Sequence, residues 1–575
     1  MRINLSFHAL RIFARRHKIL LFALLLALIL MLYRLDEVDL EGDTNHYASR
    51  AVGLADIMFA QRQSTPYRWF ETIPWWARIS FHDHPTPLLF LITHAALQLS
   101  ETALMVKAVF FLFALGTILV TYALVRRLFP DEQNKRIAEW SALALALANG
   151  LIWAGRNPHL EGGVLFFLML TLLMFARWLD DEKRWLGFGL ALGLALLTKY
   201  NALFILPALL GYLLIFHRGR LKKKQFWLAA GAALLLFTPV IIYNAMLWRA
   251  RGHLDAQFSR LFHLPSPWDL SGAATDRANL LDALLNLVRM NSLPYLLLGG
   301  GGLILLWQKH KRAATLLWLY LFFLAVFLFA IGSDPRFLIF FAPLLALGVA
   351  VVTVAAAQRL PSIVWHASAI VLGLFFLIYI SANQHTLLVE GAKTTWLRSR
   401  HRSINYGLSQ LDNFLDAYSK KLVAAENLKT FNAGKGIKIK NPWLTRYQES
   451  PGRVDHFTAL NHILVYDDAI HWFARQWLFE RRTFYHNLPL YSPKIIAELQ
   501  ALFGGDKDEK VYHLIKATEQ TLIDPQAPKG GIAATLEELL ISKEVEPALI
   551  YRSDGQVAFK IYRFEGAFGF DLKKE

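Results

Sequence analysis

The chain has 575 residues, of which 55% are hydrophobic and 13% aromatic, with a formal charge of +17 and no cysteine. A soluble domain is roughly 45–50% apolar, so this composition favours a membrane protein, and the missing cysteines exclude disulfides and thiolate sites. The positive charge lies in short clusters between apolar runs, at 11–18, 126–136 and 217–224. That distribution is typical of membrane topology signals and predicts no nucleic-acid partner.

The apolar runs predict a mainly α, polytopic membrane protein with about eleven transmembrane helices. The first run follows a basic N-terminus, as in a signal peptide, but no small-residue cleavage site follows it, so we interpret it as a retained span. The predicted spans lie at about 19–33, 104–125, 137–153, 163–179, 186–199, 201–216, 226–248, 290–307, 313–331, 337–357 and 363–381. The shorter piece 87–99 predicts a re-entrant or interfacial helix.

The Lys and Arg clusters orient these spans. The positive-inside rule places the N-terminus in the cytoplasm, and an odd number of spans then places the C-terminal part on the outer face. From about residue 385 the long apolar runs stop. The sequence therefore predicts a transmembrane domain over 1–384 and a soluble periplasmic α/β domain over 385–575, in a bacterial cell inner membrane.

The C-terminal domain has two recognisable patterns. The segment 462–468 predicts a strand that leads into a helix, and 548–564 predicts a hairpin around Ser-Asp-Gly.

Unusual polar residues collect in the predicted outer loops. They are Asp43, Tyr47 and His84 in the first loop, Arg156, His159 and Glu161 in the second, Lys199 after span five, His253 and Asp255 in the fourth loop, and Arg336 between spans nine and ten. Ionisable groups at membrane depth are costly and usually mark a functional cavity. The pattern therefore predicts one polar site at the outer interface.

Such a set suits glycosyl transfer from a lipid phosphate. A carboxylate would take the proton of the acceptor hydroxyl, and Asp43 and Glu161 are the candidates. Cations would hold the leaving phosphate, with Arg156, Lys199 and Arg336 as candidates. Ordinary roles compete with these. Either acid could simply begin a helix, and the cations could reach from helix ends to the interface.

The order of motifs resembles the GT-C glycosyltransferases of the protein O-mannosyltransferase and aminoarabinose (lipid A) transferase type. Members have a Gly-Asp with aromatic residues after it, His-Pro-Pro-Leu, Arg with an acid five positions later, Thr-Lys with a later proline, and Arg-aromatic-Leu before proline. The matching residues here are Gly42-Asp43 with Tyr47, His84-Pro85-Thr86-Pro87-Leu88, Arg156 with Glu161, Thr198-Lys199 with Pro207, and Arg336-Phe337-Leu338 with Pro343.

This resemblance covers about residues 35–360. It implies a GT-C-like fold, a polyprenyl-phosphate-linked sugar as donor, no nucleotide sugar, and Asp43 as general base. The acceptor would be lipid A, another envelope glycan or a protein, and membrane lipids surround the site. The chain departs from the family pattern at Thr86, which interrupts the His-Pro motif, and at Glu161, where aspartate is commoner.

No cofactor is required by this interpretation, and a divalent metal ion is left open. His84, His253 and Asp255 are the candidate ligands, since imidazole and carboxylate bind divalent cations. A transporter or flippase of envelope glycolipids is the alternative function, although transporters place their polar sites near the midplane. A membrane-anchored assembly protein that acts through the outer domain is a third interpretation.

Overall fold

A computed structural model of the protein describes residues 17–40, 42–52, 86–130, 132–255, 258–259, 262, 264, 280–331, 335–384, 405–425, 462–482, 490–493, 509–521, 523 and 531–567. The helices are α1 Lys18–Leu32, α2 Asp43–Val52, α3 Leu88–Leu97, α4 Ala103–Leu128, α5 Glu132–Ala146, α6 Asn149–Arg156, α7 Leu160–Asp180, α8 Trp185–Thr198, α9 Ile205–Phe216, α10 Lys224–Arg251, α11 Leu280–Asn291, α12 Leu293–Lys309, α13 Lys311–Ile331, α14 Ala342–Arg359, α15 Ser362–Gln384, α16 Leu408–Ala425, α17 Trp472–Arg475 and α18 Ile532–Ser542. The strands are β1 His462–Tyr466, β2 Leu490–Tyr491, β3 Glu509–Ala517, β4 Ala548–Tyr551 and β5 Val557–Ala567.

The chain divides into two compact units. The first unit contains the described residues up to Leu35 and those of Ser80–Ser403, and the second contains those of Asp36–Ile57 and Ile404–Glu575. The segment that carries α2 therefore belongs to the second unit, together with residues from the C-terminal part of the chain. The domain limits drawn from the sequence, 1–384 and 385–575, assign α2 to the transmembrane domain instead.

The helices of the first unit confirm the polytopic fold class. Among the described residues, six helices (α4, α7, α10, α13, α14 and α15) are long and apolar enough to cross a membrane. The number is eight if each bent pair, α5 with α6 and α11 with α12, forms one span. A helix occupies each of the eleven segments predicted from the sequence, but several are short, so the count of eleven stays a prediction. Helix α3 has 10 residues, about half the length needed to cross.

Two helices of the first unit approach each other through glycines. A side chain at Gly302 of α12 would place its Cβ 1.8 Å from the backbone oxygen of Gly348 in α14. Small residues allow this close approach, which is common between membrane helices. At Gly300, in the same helix, no atom of another part of the described chain lies within 4 Å of such a Cβ position.

The second unit is built on a mixed five-stranded sheet of order β2-β1-β3-β5-β4. Strand β1 pairs in parallel with β2 and β3, and β5 pairs antiparallel with β3 and β4. Apolar residues of β1 alternate between two buried clusters, one with α16 and the other with α18. The sheet is thus covered on both faces, as sheets with parallel strands usually are. The predicted strand at 462–468 and hairpin at 548–564 are both confirmed.

A buried charge network joins two helical segments of the second unit. Asp412 of α16 accepts hydrogen bonds from Arg482 at 2.7 Å, Arg481 at 3.2 Å and the Trp477 indole at 2.9 Å. Burial alone would raise the pKa of Asp412, but the neighbouring Arg482 and Arg481 outweigh it and hold this pKa below its ordinary value. Asp416 also pairs with Arg482, so the two arginines are matched by two carboxylates.

Candidate active site

The candidate site begins with Glu161, in the first turn of α7. The helix starts after His159, and the side chain of Glu161 is fully buried. A carboxylate is stabilised at this position by the positive end of the helix dipole. That is one of the two roles considered from the sequence, and the role as a site carboxylate stays a prediction.

Lys199 supplies the closest cation. It follows the last residue of α8, where extended backbone (φ −167°) turns the chain into a short 3₁₀ helix, Tyr200–Phe204. Its Nζ donates to Oε1 of Glu161 at 2.7 Å, and only 3% of its side chain is exposed. A lysine buried to this degree requires a negative partner, because an uncompensated charge in the interior is costly.

Arg336 approaches the same carboxylate from another segment. It lies in the 3₁₀ helix Pro335–Phe341, and its Nε is 3.7 Å from Oε1 of Glu161. With 26% of its side chain exposed, it is the most accessible of the three charged groups. The ring of Phe337 lies beside both cations, 5.7 Å from the Lys199 Nζ and 5.2 Å from the Arg336 Cζ. These distances fit cation–π attraction.

Both cations meet at one carboxylate. Lys199 donates to Oε1 of Glu161, and the Arg336 guanidinium lies beside the same oxygen. The other oxygen of Glu161, Oε2, is buried without a hydrogen-bond partner among the described residues. The group therefore places two cations next to each other, and preorganised cations of this kind are suited to stabilise an anionic ligand.

Arg156 is placed differently from the other predicted phosphate partners. Its guanidinium is fully buried and donates to the backbone oxygens of Leu30, Met31 and Tyr33 at 3.1, 3.1 and 2.7 Å. These carbonyls end helix α1, where the dipole favours a cation. Lys107, which is also fully buried, donates to the Leu35 oxygen at 3.0 Å. Through these hydrogen bonds, both residues fix the backbone at and just after the end of α1.

Of the other predicted residues, two belong to the second unit, one precedes α7, and one lies outside the described part of the chain. Asp43 is half-buried in the first turn of α2, and Tyr47 is buried in the same helix, so both belong to the second unit. His159 precedes α7, and its ring stacks on Trp153 with centroids 4.9 Å apart. His84 lies outside the described residues.

A second polar cluster follows directly after Lys199. Tyr200 donates to Oδ1 of Asp255 and stacks on Phe258, and the backbone N–H of Asp255 donates to Asn244 at 2.9 Å. The His253 Nδ1 donates to the Leu254 carbonyl at 2.7 Å. Its other ring nitrogen is therefore a lone-pair acceptor when the ring is neutral. The described residues contain no group of three or more histidine or acidic side chains placed to hold a metal ion, so the metal site stays a prediction.

The sequence interpretation included Phe337 only as part of the Arg-aromatic-Leu motif, and it did not single out Tyr200 or Lys107. Phe337 and Tyr200 each adjoin a predicted cation in the chain, and an aromatic ring next to a cation in an outer loop is the signal that would have indicated them. Lys107 lies inside a long apolar run. A lone lysine in such a run is itself a signal for a buried charge with a specific partner.

Comparison with known proteins agrees with the resemblance seen in the motifs. A family described as dolichyl-phosphate-mannose-protein mannosyltransferase matches residues 83–243, a range that includes Glu161 and Lys199. No curated protein matches the chain in sequence.

Several solved structures match the chain. ArnT from Cupriavidus metallidurans, bound to undecaprenyl phosphate, has a TM-score of 0.50 and 13% identity, with 95% of this chain and 97% of that chain covered. Archaeal oligosaccharyltransferase AglB from Archaeoglobus fulgidus, in complex with an inhibitory peptide and a dolichol phosphate, has a TM-score of 0.45 and 16% identity over 95% and 74%. Arabinosyltransferase EmbB from Mycobacterium smegmatis has a TM-score of 0.38 and 15% identity over 63% and 32%.

The chain thus resembles GT-C membrane glycosyltransferases of the mannosyltransferase and ArnT type, in sequence over 83–243 and in fold. The family resemblance predicted from the motifs is confirmed.

Proposed function

We propose that the protein is an integral membrane glycosyltransferase that moves a sugar from a polyprenyl-phosphate donor to an envelope acceptor on the outer face of the membrane. The observation that supports this most is the meeting of two cations, Lys199 and Arg336, at the buried carboxylate of Glu161. ArnT of Cupriavidus metallidurans is described with undecaprenyl phosphate, and AglB with a dolichol phosphate. A lipid phosphate is therefore the anion we assign to this group.

The chemistry follows from the charges. An acceptor hydroxyl attacks the anomeric carbon, the bond from that carbon to the phosphate oxygen breaks, and the electron pair leaves with the polyprenyl phosphate. Lys199 and Arg336 stabilise the negative charge that develops on this phosphate. Glu161 orients Lys199 and holds it next to Arg336, so that both cations can face the phosphate. The proton of the acceptor goes to a carboxylate, for which Asp43 is the proposed base.

The roles of the other candidates differ. We assign Arg156 and Lys107 to the structure around α1, because their donors already contact backbone oxygens. His159 is proposed to support Glu161 from the residue before α7. Lipid A, another envelope glycan and a protein are all acceptors compatible with this proposal.

Mass spectrometry of envelope glycolipids and glycoproteins tests this function. Cells that carry the protein, cells that lack it, and cells with the Lys199→Met variant are compared. We expect one sugar to be missing from one acceptor in both the second and third samples. Unchanged glycans in the absence of the protein would refute transfer. Accumulation of an unmodified glycolipid on the inner leaflet would indicate the flippase alternative.

A further inference from the structure

A basic cavity lies in the first unit, away from the candidate active site. It has a volume of about 580 Å³ and is lined by His17, Tyr122, Ala123, Arg126, Arg127, Arg177 and Arg184. This volume falls within the range of roughly 300–1,000 Å³ that is usual for ligand sites. Five of its seven lining residues can carry a positive charge.

The cavity and the candidate active site are at opposite ends of one helix. Glu161 is in the first turn of α7 and Arg177 is in its last turn. Sixteen residues of α helix rise by about 24 Å, so a ligand of the cavity cannot reach Glu161. This cavity is therefore a separate site, and its role does not depend on the proposed transferase function.

Carboxylates of the protein pair with only some of the basic residues that line the cavity. Arg127 pairs with Asp180, and Arg184 pairs with Asp181 at 3.4 Å. His17 lies 3.7 Å from Glu139.

By contrast, no carboxylate in the described part of the chain lies within 4 Å of Arg126 or Arg177. Arg126 donates instead to the Tyr122 hydroxyl, at 3.3 Å, and that hydroxyl also contacts His17 at 3.0 Å. Two guanidinium groups with a hydroxyl between helix ends suit a phosphate group.

Exposed apolar side chains lead away from the cavity along the helices that form it. Leu112 and Leu119 are 62% and 45% exposed on α4. Leu112, Leu119 and Arg126 follow one another at intervals of seven residues, so all three lie on nearly the same face of the helix. Leu186 and Leu190 are likewise exposed on α8, after Arg184. A lipid chain can lie on these faces with its headgroup at the arginines, whereas a free phosphate would use none of them.

We propose that this cavity binds the phosphate headgroup of an anionic membrane phospholipid, with Arg126 and Arg177 as its ligands. The basic clusters place this end of the first unit on the cytoplasmic side by the positive-inside rule. Basic pockets between membrane helices on that side are suited to anionic headgroups.

Native mass spectrometry of the purified full-length protein in detergent tests this site. Phosphatidylglycerol is added to the wild type and to the Arg126→Gln/Arg177→Gln variant, with phosphatidylethanolamine as the zwitterionic comparison. We expect wild type to prefer phosphatidylglycerol and the variant to bind it roughly tenfold or more weakly, because each cation near an anionic lipid contributes substantially to binding. Equal retention by both proteins would overturn the proposal.

Two further variants separate a defined site from charge in general. Lys222 and Lys224 are exposed on a basic turn outside the cavity, so Lys222→Gln/Lys224→Gln removes the same charge and should keep the preference. Arg126→Lys/Arg177→Lys should also keep most of it, which excludes a folding defect as the cause. Equal losses in the Lys222/Lys224 variant and the Arg126/Arg177 glutamine variant would overturn the assignment to this cavity. Displacement of the lipid by inorganic phosphate at equal concentration would overturn the lipid as ligand.

Discussion

The Nζ of Lys199 lies 2.7 Å from Oε1 of Glu161, and both side chains are buried. The two residues are 38 positions apart and belong to different helical segments. Their contact joins the start of α7 to the end of α8. It also fixes the position of a cation that the proposed reaction requires.

Breaking this pair should separate stability from catalysis. We expect Lys199→Met to destabilise the protein by about 3–5 kcal/mol, because the buried charge of Glu161 loses the cation that donates a hydrogen bond to it. The double variant Glu161→Gln/Lys199→Met should recover most of that loss but remain inactive. Thermal unfolding in detergent and sugar transfer in membranes measure the two effects. A double variant with wild-type activity would show that Lys199 does not contact the phosphate.

Asp43→Asn should lower turnover by about 10²–10⁴-fold, the usual contribution of a general base, without weakening donor binding. Transfer rates and binding of the lipid phosphate are measured on the same preparation. Asp36 is an exposed acid of the same segment, and Asp36→Asn should leave both unchanged. Full activity of the Asp43 variant would mean that another group takes the proton.

Arg156→Gln should act on stability and not on donor affinity. The substitution removes a cation that donates to four backbone oxygens at and just after the end of α1. Hydrogen bonds to charged groups contribute about 1.5–3 kcal/mol, so a clear fall in melting temperature is expected. Donor binding by the folded protein should match wild type. A normal melting temperature with weakened donor binding would instead support the role predicted from the sequence.

Acid should weaken the second unit through Asp412. Its pKa in the folded protein lies below its ordinary value, so the stabilisation is complete above about pH 5 and is lost as the pH falls through the folded pKa. Hydrogen exchange of 408–425 and 472–482, corrected for intrinsic rates, should rise below about pH 4. Asp412→Asn should show fast exchange already at neutral pH. Asp554 forms an exposed pair with Arg552, and Asp554→Asn should have almost no effect.

Two glycines of α12 should respond in opposite directions to alanine. Gly302→Ala would press a methyl group into the backbone of Gly348, and overpacking of this kind costs about 1–3 kcal/mol or more. Gly300 faces open space, so Gly300→Ala should stabilise the helix by about 0.5–1 kcal/mol. Melting temperatures in one detergent compare the two. Equal shifts would show that α12 and α14 are not in close contact.

Much of the fold could be predicted because each span is a local feature of the sequence. The strand β1 and the β4–β5 hairpin were also predictable, since their apolar alternation and their turn lie within a few residues. The structure brings Glu161, Lys199 and Arg336 together as expected for residues at one interface. Their chemical roles remain proposals.

Other features depend on contacts that leave no local pattern. Arg156 binds backbone oxygens more than 120 positions away, and a backbone carbonyl is present at every residue, so no side chain indicates the partner. The membership of α2 in the second unit rests on contacts of Asn45 with Ala474 and Trp477. Neither partner belongs to a recognisable motif.

The separation between Asn45 and Trp477, 432 residues, has a consequence for biosynthesis. At roughly 5–20 residues per second, the ribosome needs between about 20 and 90 seconds after making α2 to make its partners. A ten-residue helix is marginal by itself in water. During that interval α2, which carries the proposed base Asp43, cannot pack against the rest of the second unit. Chaperones and proteases outside the membrane can therefore reach it. A nascent chain stalled before residue 472 should therefore be cut near α2, and the finished protein should not.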